Sequence, residues 1–276
     1  MSNYNTYSNQ WITKKSSSQH YAHTYLEKPA LWQQVNDYLS QNLNLSPKVL
    51  VLGCGSGEEI EQLLKMGIES ITAIDISSDL IEYASQVYLP FWKESYPQAK
   101  IELICQDITK YEYSTDYFDL IISSLTLHYI QNWDSLLSKL NRSLKSNGEL
   151  IFSTHHPIKW ASQTSRSKDS NSFIIGYQKS KTNNGDYQIW GDYLGFRAIK
   201  DKLFGQLEVV YYNRSISRIF QELKSNNFTI TDLIEPIPTE ETKSIKPDFW
   251  QVHSKIPLFV IFRCQKKLEI SNKKQP

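Results

Sequence analysis

Lys48-Val49-Leu50-Val51-Leu52-Gly53-Cys54-Gly55-Ser56-Gly57 sets the architecture of this chain. The run from Val49 to Leu52 is continuously apolar, the pattern of a parallel strand covered on both faces. Glycines at alternate positions then allow a sharp turn and let a ligand approach the backbone with no Cβ in the way. Past the turn, Ile60, Leu63 and Leu64 fall on one face of a helix over Glu58 to Met66, and Gly67 is suited to close it. Before the strand, Leu31, Val35 and Leu39 recur every four residues in a helix that begins near Pro29.

Working outward, the same alternation repeats. Strands are expected over Ser70–Asp75, Ile101–Cys105, Phe118–Ser123 and Glu149–Ser153. Between them, one helix carries Leu80, Ile81, Ala84 and Val87 behind the N-cap candidates Ser77, Ser78 and Asp79, and Pro90 ends or kinks it. Another runs from Asp134 to Leu144, and Asn147-Gly148 turns the chain into the fifth strand. Five strands alternating with helices predict an α/β fold, a doubly wound and mostly parallel sheet.

After His155-His156-Pro157 the pattern breaks. Ala161–Ser172 reads as a long polar loop. Phe173–Tyr212 mixes aromatics with Gly176, Gly185, Gly191, Gly195 and Gly205, which suggests short strands and turns inserted as an aromatic cap. A helix with Ile216, Ile219, Phe220 and Leu223 follows, then strand candidates Phe228–Ile234 and Pro257–Arg263. The expected organisation is an N-terminal helical segment (1–45) over the ligand site, a ligand-binding core (46–157), the cap (158–213), a C-terminal helix and last strands of the same sheet (214–268), and a tail (269–276).

The 276 residues, 40% hydrophobic, supply ample core for one large domain. A net charge of +1 provides no whole-molecule field toward nucleic acid or anionic lipid. Cys54, Cys105 and Cys264 form no disulfide framework or CxxC pair, as in a reducing compartment. Met1–Gln19 is polar, with no apolar run fit for a signal peptide or a membrane span. These features predict a cytoplasmic protein with neither nucleic acid nor membrane as partner, and leave the oligomeric state open.

Asp75 closes the second strand about twenty residues past Gly53, where a carboxylate accepts from both hydroxyls of a ribose. Asp107 follows the third strand at the carboxyl edge, where such sheets bind ligands. Glu58 and Glu59 occupy the first turn of the helix after the glycines and would repel a phosphate there. The ligand is therefore read as a nucleoside without phosphate. A nicotinamide-dependent dehydrogenase fits less well, because the turn lacks the Gly-x-Gly-x-x-Gly spacing that holds a pyrophosphate.

In this order, the motifs resemble those of the class I methyltransferases that use S-adenosylmethionine. The resemblance spans Val49 to Thr154. It implies a Rossmann-like methyltransferase fold with Gly53, Cys54 and Gly55 beneath the methionine part of S-adenosylmethionine. Asp75 is implied at the ribose, Ile76 against the adenine, and Asp107 and Ile108 at the adenine amino group. Phe118–Leu125 resembles the motif after which the reacting groups gather. Many members carry an acid where this chain has Val51, so the ammonium of the methionine part must use other atoms, such as carbonyls near Gly53 or the Ser123 hydroxyl. Tyr21, in the segment that often folds over the cofactor, is a candidate for the methionine carboxylate. Tyr211-Tyr212-Asn213-Arg214, Glu235-Pro236-Ile237-Pro238 and Leu258–Phe262 resemble the C-terminal parts of a subset acting on small molecules, with Asn213 in place of the usual His.

The implied reaction is an in-line displacement that moves the methyl group to an O or N atom of a small acceptor and leaves S-adenosylhomocysteine. His128 is the candidate general base, titrating near 6.5 if unperturbed. His155, His156, Trp190, Tyr193 and Tyr212 are candidate acceptor contacts, and no metal is called for. A non-catalytic S-adenosylmethionine-binding module serving a partner protein is the alternative.

Overall fold

The computed structural model describes residues 21–42, 46–164, 173–179, 186–203 and 207–267. Seven strands form one sheet in the order β12-β13-β5-β4-β1-β2-β3. Strands β1 (Lys48–Leu52), β2 (Ser70–Asp75), β3 (Lys100–Cys105), β4 (Phe118–Ser123) and β5 (Leu144–His155) are mutually parallel. Strand β13 (Phe259–Lys266) runs antiparallel to β5 on one side and to β12 (Phe228–Ile234) on the other. This is the mostly parallel, doubly wound α/β sheet that the alternation predicts.

Side chains alternate across a strand, and β1 shows why its sequence is apolar throughout. Leu50 and Leu52 pack on one face with Leu136, Leu137, Leu140, Ile219 and Leu223. Val49 and Val51 pack on the other with Leu31, Val35, Ile60, Leu63 and Leu64. The helices supplying these residues are α1 (Lys28–Gln41), α2 (Glu58–Lys65), α5 (Trp133–Ser143) and α7 (Ile216–Ser225). Val51 is fully buried between Ala73 of β2 and Ile122 of β4.

Local chemistry fixes the ends. Gly67, at φ +83°, lets its own N–H and that of Ile68 return to the carbonyls of Leu64 and Leu63, capping α2. Ser77 caps α3 (Ser78–Tyr83) by accepting from the N–H of Leu80. Beyond α3 the chain makes a π turn, Ala84–Tyr88, before α4 (Leu89–Ser95). Pro90 sits in the first turn of α4, where its missing N–H costs nothing, so the proline opens a helix as well as ending one. Val87, expected on the buried face, is exposed as a consequence, as is Phe220 of α7.

Between β5 and α7 lie a short helix, α6 (Pro157–Ala161), and three two-stranded ribbons. They pair β6 (Gln163–Thr164) with β7 (Phe173–Ile174), β8 (Gly176–Lys179) with β9 (Tyr187–Trp190), and β10 (Arg197–Leu203) with β11 (Leu207–Asn213). Two helices, α8 (Thr242–Ile245) and α9 (Pro247–His253), connect β12 to β13. Most of Ala161–Ser172, with Gly185, Gly205, the first twenty residues and the 269–276 tail, lies outside the described residues. No helix among the described residues is long and apolar enough to cross a membrane.

Candidate active site

The glycine turn is tied to the next strand by its backbone. Gly53 and Cys54 both donate to the Ile74 carbonyl, at 2.8 and 3.1 Å. Asp75 completes the tie: Oδ2 accepts from the N–H of Gly55 and Oδ1 from that of Ser77, both at 2.8 Å. Gly53 has φ +69°, and a Cβ there would fall on the Thr126 side chain, so the position demands glycine on both grounds. Burial holds the Asp75 carboxyl above its ordinary value despite the two N–H donors. Asp107 accepts through Oδ1 from the N–H and the hydroxyl of Thr109, at 2.9 and 2.7 Å.

These groups line one end of a cavity of about 1670 Å³ that continues under the cap. Gly53, Cys54, Gly55, Asp75, Ile76, Asp107 and Ile108 all face it, as the motifs imply. Burial keeps Cys54 a thiol by raising its pKa well above normal, which removes it as a nucleophile. The volume exceeds the roughly 300–1,000 Å³ of a single-ligand pocket and accommodates two small molecules together.

The other end is aromatic. His128 and His155 stack at 4.1 Å between ring centres, and Tyr211 lies 5.2 Å from the first and 4.9 Å from the second. Trp160 stands 4.9 Å from Tyr211, and Phe259 stacks on His155 at 5.9 Å. Lys159 also lines the cavity, its ammonium 4.8 Å above the Trp160 ring. His155 Nδ1 and Trp160 Nε1 are buried polar atoms without a hydrogen-bond partner among the described residues. Burial pushes the His128 pKa down to about 3, and burial together with His128 pushes His155 well below normal. Both shifts favour neutral rings near pH 7 and move His128 away from the titration near 6.5 expected of an unperturbed imidazole.

Several sequence candidates stand elsewhere. Ser123 is fully buried at the end of β4 and donates to the Leu52 carbonyl at 3.4 Å; its neighbour Ser124 reaches the cavity instead. Tyr21 stacks on Tyr25 and is not among the cavity-lining residues, whereas the next two residues, Ala22 and His23, are. His156 caps α6 by accepting from Ile158, and its Nε2 lies 2.8 Å from Glu235. That contact gives the Glu-Pro-x-Pro segment a structural task. Trp190 does not line the cavity, and the Tyr193 hydroxyl accepts from the N–H of Ile216 at the start of α7. Tyr212 does line it, with its hydroxyl 3.5 Å from Gln131. Arg214 holds the Ile130 and Gln131 carbonyls at 3.0 and 2.7 Å, fixing a loop that borders the cavity.

Sequence reasoning set Glu59 beside the ligand but missed Lys28 and the pair the two form, and among the aromatics it singled out Trp190 and Tyr193 rather than Trp160 and Tyr211. The period-2 pattern of Leu207, Val209 and Tyr211, which form the buried face of β11, was the available signal for Tyr211.

Residues 50–152 match the family described as methyltransferase domain. Over this segment the chain is similar to methyltransferase domains. The segment contains the glycine turn, both cavity aspartates and the candidate base His128, all of which line the cavity. The chain is 35% identical over 134 residues to an uncharacterized protein of Haemophilus influenzae, covering 48% of this chain and 49% of that one. It is 33% identical over 153 residues to the malonyl-[acyl-carrier protein] O-methyltransferase of Priestia megaterium, covering 53% and 52%. The chain thus spans about half the length of the curated relatives it matches. Beyond this segment, the fold as a whole is similar to that of an S-adenosylmethionine dependent methyltransferase from Mesorhizobium loti. The TM-score is 0.62 at 23% identity, over 80% of this chain and 91% of that one.

Proposed function

We propose that this chain transfers a methyl group from S-adenosylmethionine to an oxygen atom of a small acceptor, with a carboxylate as the favoured acceptor group. The observation that carries this reading is one continuous cavity, with the glycine turn and two aspartates at one end and a buried aromatic chamber at the other. The donor set fits the cofactor. Asp75 and Asp107 offer carboxylate oxygens to hydroxyl and amino groups, and the glycine turn leaves room for close backbone approach. Glu58 and Glu59 line the same end and disfavour a pyrophosphate.

When bound, S-adenosylmethionine supplies an electrophilic methyl carbon that needs no further activation. The chain's own task is then alignment and exclusion of water. Trp160, Tyr129, Tyr211 and Phe259 wall off the acceptor chamber from solvent. The neutral imidazoles of His128 and His155 position an acceptor oxygen by hydrogen bonding, and their depressed basicity suits an acceptor that arrives ionised. Lys159 is the cation of that wall. The O-methyltransferase name of the Priestia relative agrees with oxygen as the receiving atom.

The test is transfer from methyl-labelled S-adenosylmethionine to a panel of dicarboxylic acids, carrier-protein acyl thioesters, phenols and amines. A labelled, base-labile methyl ester is the expected product. A base-stable labelled product would move the acceptor to a phenol or amine. Tight cofactor binding without transfer to any acceptor would favour the non-catalytic module instead.

A further inference from the structure

The methionine end of the proposed cofactor carries one carboxylate and one ammonium, and neither side chain suggested for them by the sequence, Tyr21 or Ser123, lines the cavity. Val51, where the common acid would stand, is sealed in the core, and Ser123 is fully buried at the end of β4. Among the charged side chains that line the cavity, Lys28 and Glu59 form an ion pair with each other. They come from two helices: Lys28 opens α1, directly after the π turn His23–Glu27, and Glu59 lies in the first turn of α2. The Lys28 ammonium pairs with Glu59 Oε1 and donates to the Ser124 hydroxyl at 3.1 Å. Their side chains are only 16% and 9% exposed, so water screens the pair weakly.

The pair keeps unused capacity. An ammonium has three donors, and two of those on Lys28 are engaged, by Glu59 and Ser124. Glu59 uses Oε1 for the pair, and no hydrogen bond to its Oε2 occurs among the described residues. Behind them, the fully buried Glu27 accepts from Ser124 and Ser153, at 3.0 and 2.5 Å, while its Oε2 has no partner among the described residues. Two carboxylates thus face one lysine in a nearly dry cluster. A second cation would balance it, and a zwitterion would satisfy both members of the exposed pair at once.

We propose that Lys28 and Glu59 form the clamp for the amino-acid end of the cofactor, Lys28 holding its carboxylate and Glu59 its ammonium, in place of the acid missing at Val51. This assignment rests on the cavity being the S-adenosylmethionine site. It also gives the π turn a purpose: the turn sets where Lys28 leaves the helix axis, and such turns recur at functional sites.

Equilibrium titration separates the clamp from the rest of the site, using S-adenosylhomocysteine and 5′-methylthioadenosine, which lacks the amino-acid end. Wild type should bind the former more tightly by about tenfold or more. Lys28→Met and Glu59→Gln should each weaken S-adenosylhomocysteine by about ten- to a hundredfold and change methylthioadenosine by less than about threefold. Unchanged S-adenosylhomocysteine affinity in both folded variants, or equal losses for both ligands, would overturn the clamp. Should the variants fail to fold, the wild type is titrated with the decarboxylated and N-acetyl analogues of S-adenosylhomocysteine. Roughly tenfold or greater loss for each supports the clamp, and undiminished affinity overturns it. Wild type that binds methylthioadenosine as tightly as S-adenosylhomocysteine overturns the clamp alone. Wild type that binds neither overturns the cofactor reading beneath it.

Discussion

At the scale of single residues, Asp75 has two employments. Its carboxylate closes the glycine turn through Gly55 and Ser77, and its remaining lone pairs face the cavity. Asp75→Asn keeps the side-chain size but removes the ionised acceptor and sets an amide nitrogen against the N–H of Gly55 or Ser77, so S-adenosylhomocysteine affinity should fall about ten- to a hundredfold, or about 1.5–3 kcal/mol, by calorimetry. Unchanged affinity would remove the ribose contact. Gly53→Ala tests the cradle: its methyl meets Thr126 at φ +69°, and binding should be nearly lost. Adding Thr126→Ala relieves the clash but not the backbone strain, so the double variant should recover only part of the affinity. The histidines carry a third expectation. With the His128 pKa near 3, the rate should show no step from this group between pH 5 and 8. His128→Ala should cost less than the roughly 10²–10⁴-fold typical of a lost general base. A large loss together with a titration near 6.5 would restore His128 as the base.

At the scale of elements, the strands were legible because a buried parallel sheet needs apolar runs, continuous over Val49–Leu52 in β1 and shorter in β4 (Leu120–Ile122) and β2 (Ala73–Ile74). The glycine turn and both aspartates were legible for a related reason: each sits at the carboxyl end of a strand that the pattern had already located. The π turn after α3 was not, since Pro90 signals a lost N–H but not whether the chain stops or shifts register. Nor was the pairing of Lys28 with Glu59, more than thirty residues apart, which depends on how α1 packs across the sheet. Trp190 and Tyr193 read as cavity aromatics because the glycine-rich stretch around them, unlike β11, has no period from which to tell its faces. A polar tie now holds the late elements. Arg263 of β13 donates to Glu149 of β5 at 2.6 and 3.1 Å and to Gln41 of α1 at 2.7 Å, with the Arg263 and Glu149 side chains almost wholly buried. Arg263→Ala should destabilise the protein by about 3–5 kcal/mol in urea unfolding, because it leaves Glu149 charged and unpaired. Arg263→Met combined with Glu149→Leu should restore most of that loss, and equal destabilisation by both would assign the effect to packing alone.

At the scale of the whole molecule, burying two histidines neutral couples the acceptor chamber to stability. Between pH about 3 and 6.5, the unfolded chain binds a proton on His128 that the folded chain refuses, so stability falls as the pH drops. His155 acts with the same sign. From pH 7 to 5.5 His128 should remove about 1 kcal/mol, and His128→Asn should make the decline shallower by that amount. An unaltered slope would place the protonation elsewhere. Glu27 and Asp75, whose carboxyls are raised by burial, act in the opposite sense, which is why the difference between wild type and variant is the quantity to read. The same architecture makes the central claim testable without knowing the acceptor. The sheet brings the glycine turn, Asp75 and Asp107 to one cavity end whose acidic rim suits a nucleoside and disfavours a pyrophosphate. Calorimetric titration of the intact chain with S-adenosylhomocysteine and with a nicotinamide dinucleotide decides the matter directly. One S-adenosylhomocysteine should bind saturably per chain, with no heat from the dinucleotide. Dinucleotide binding with no response to S-adenosylhomocysteine would contradict that claim.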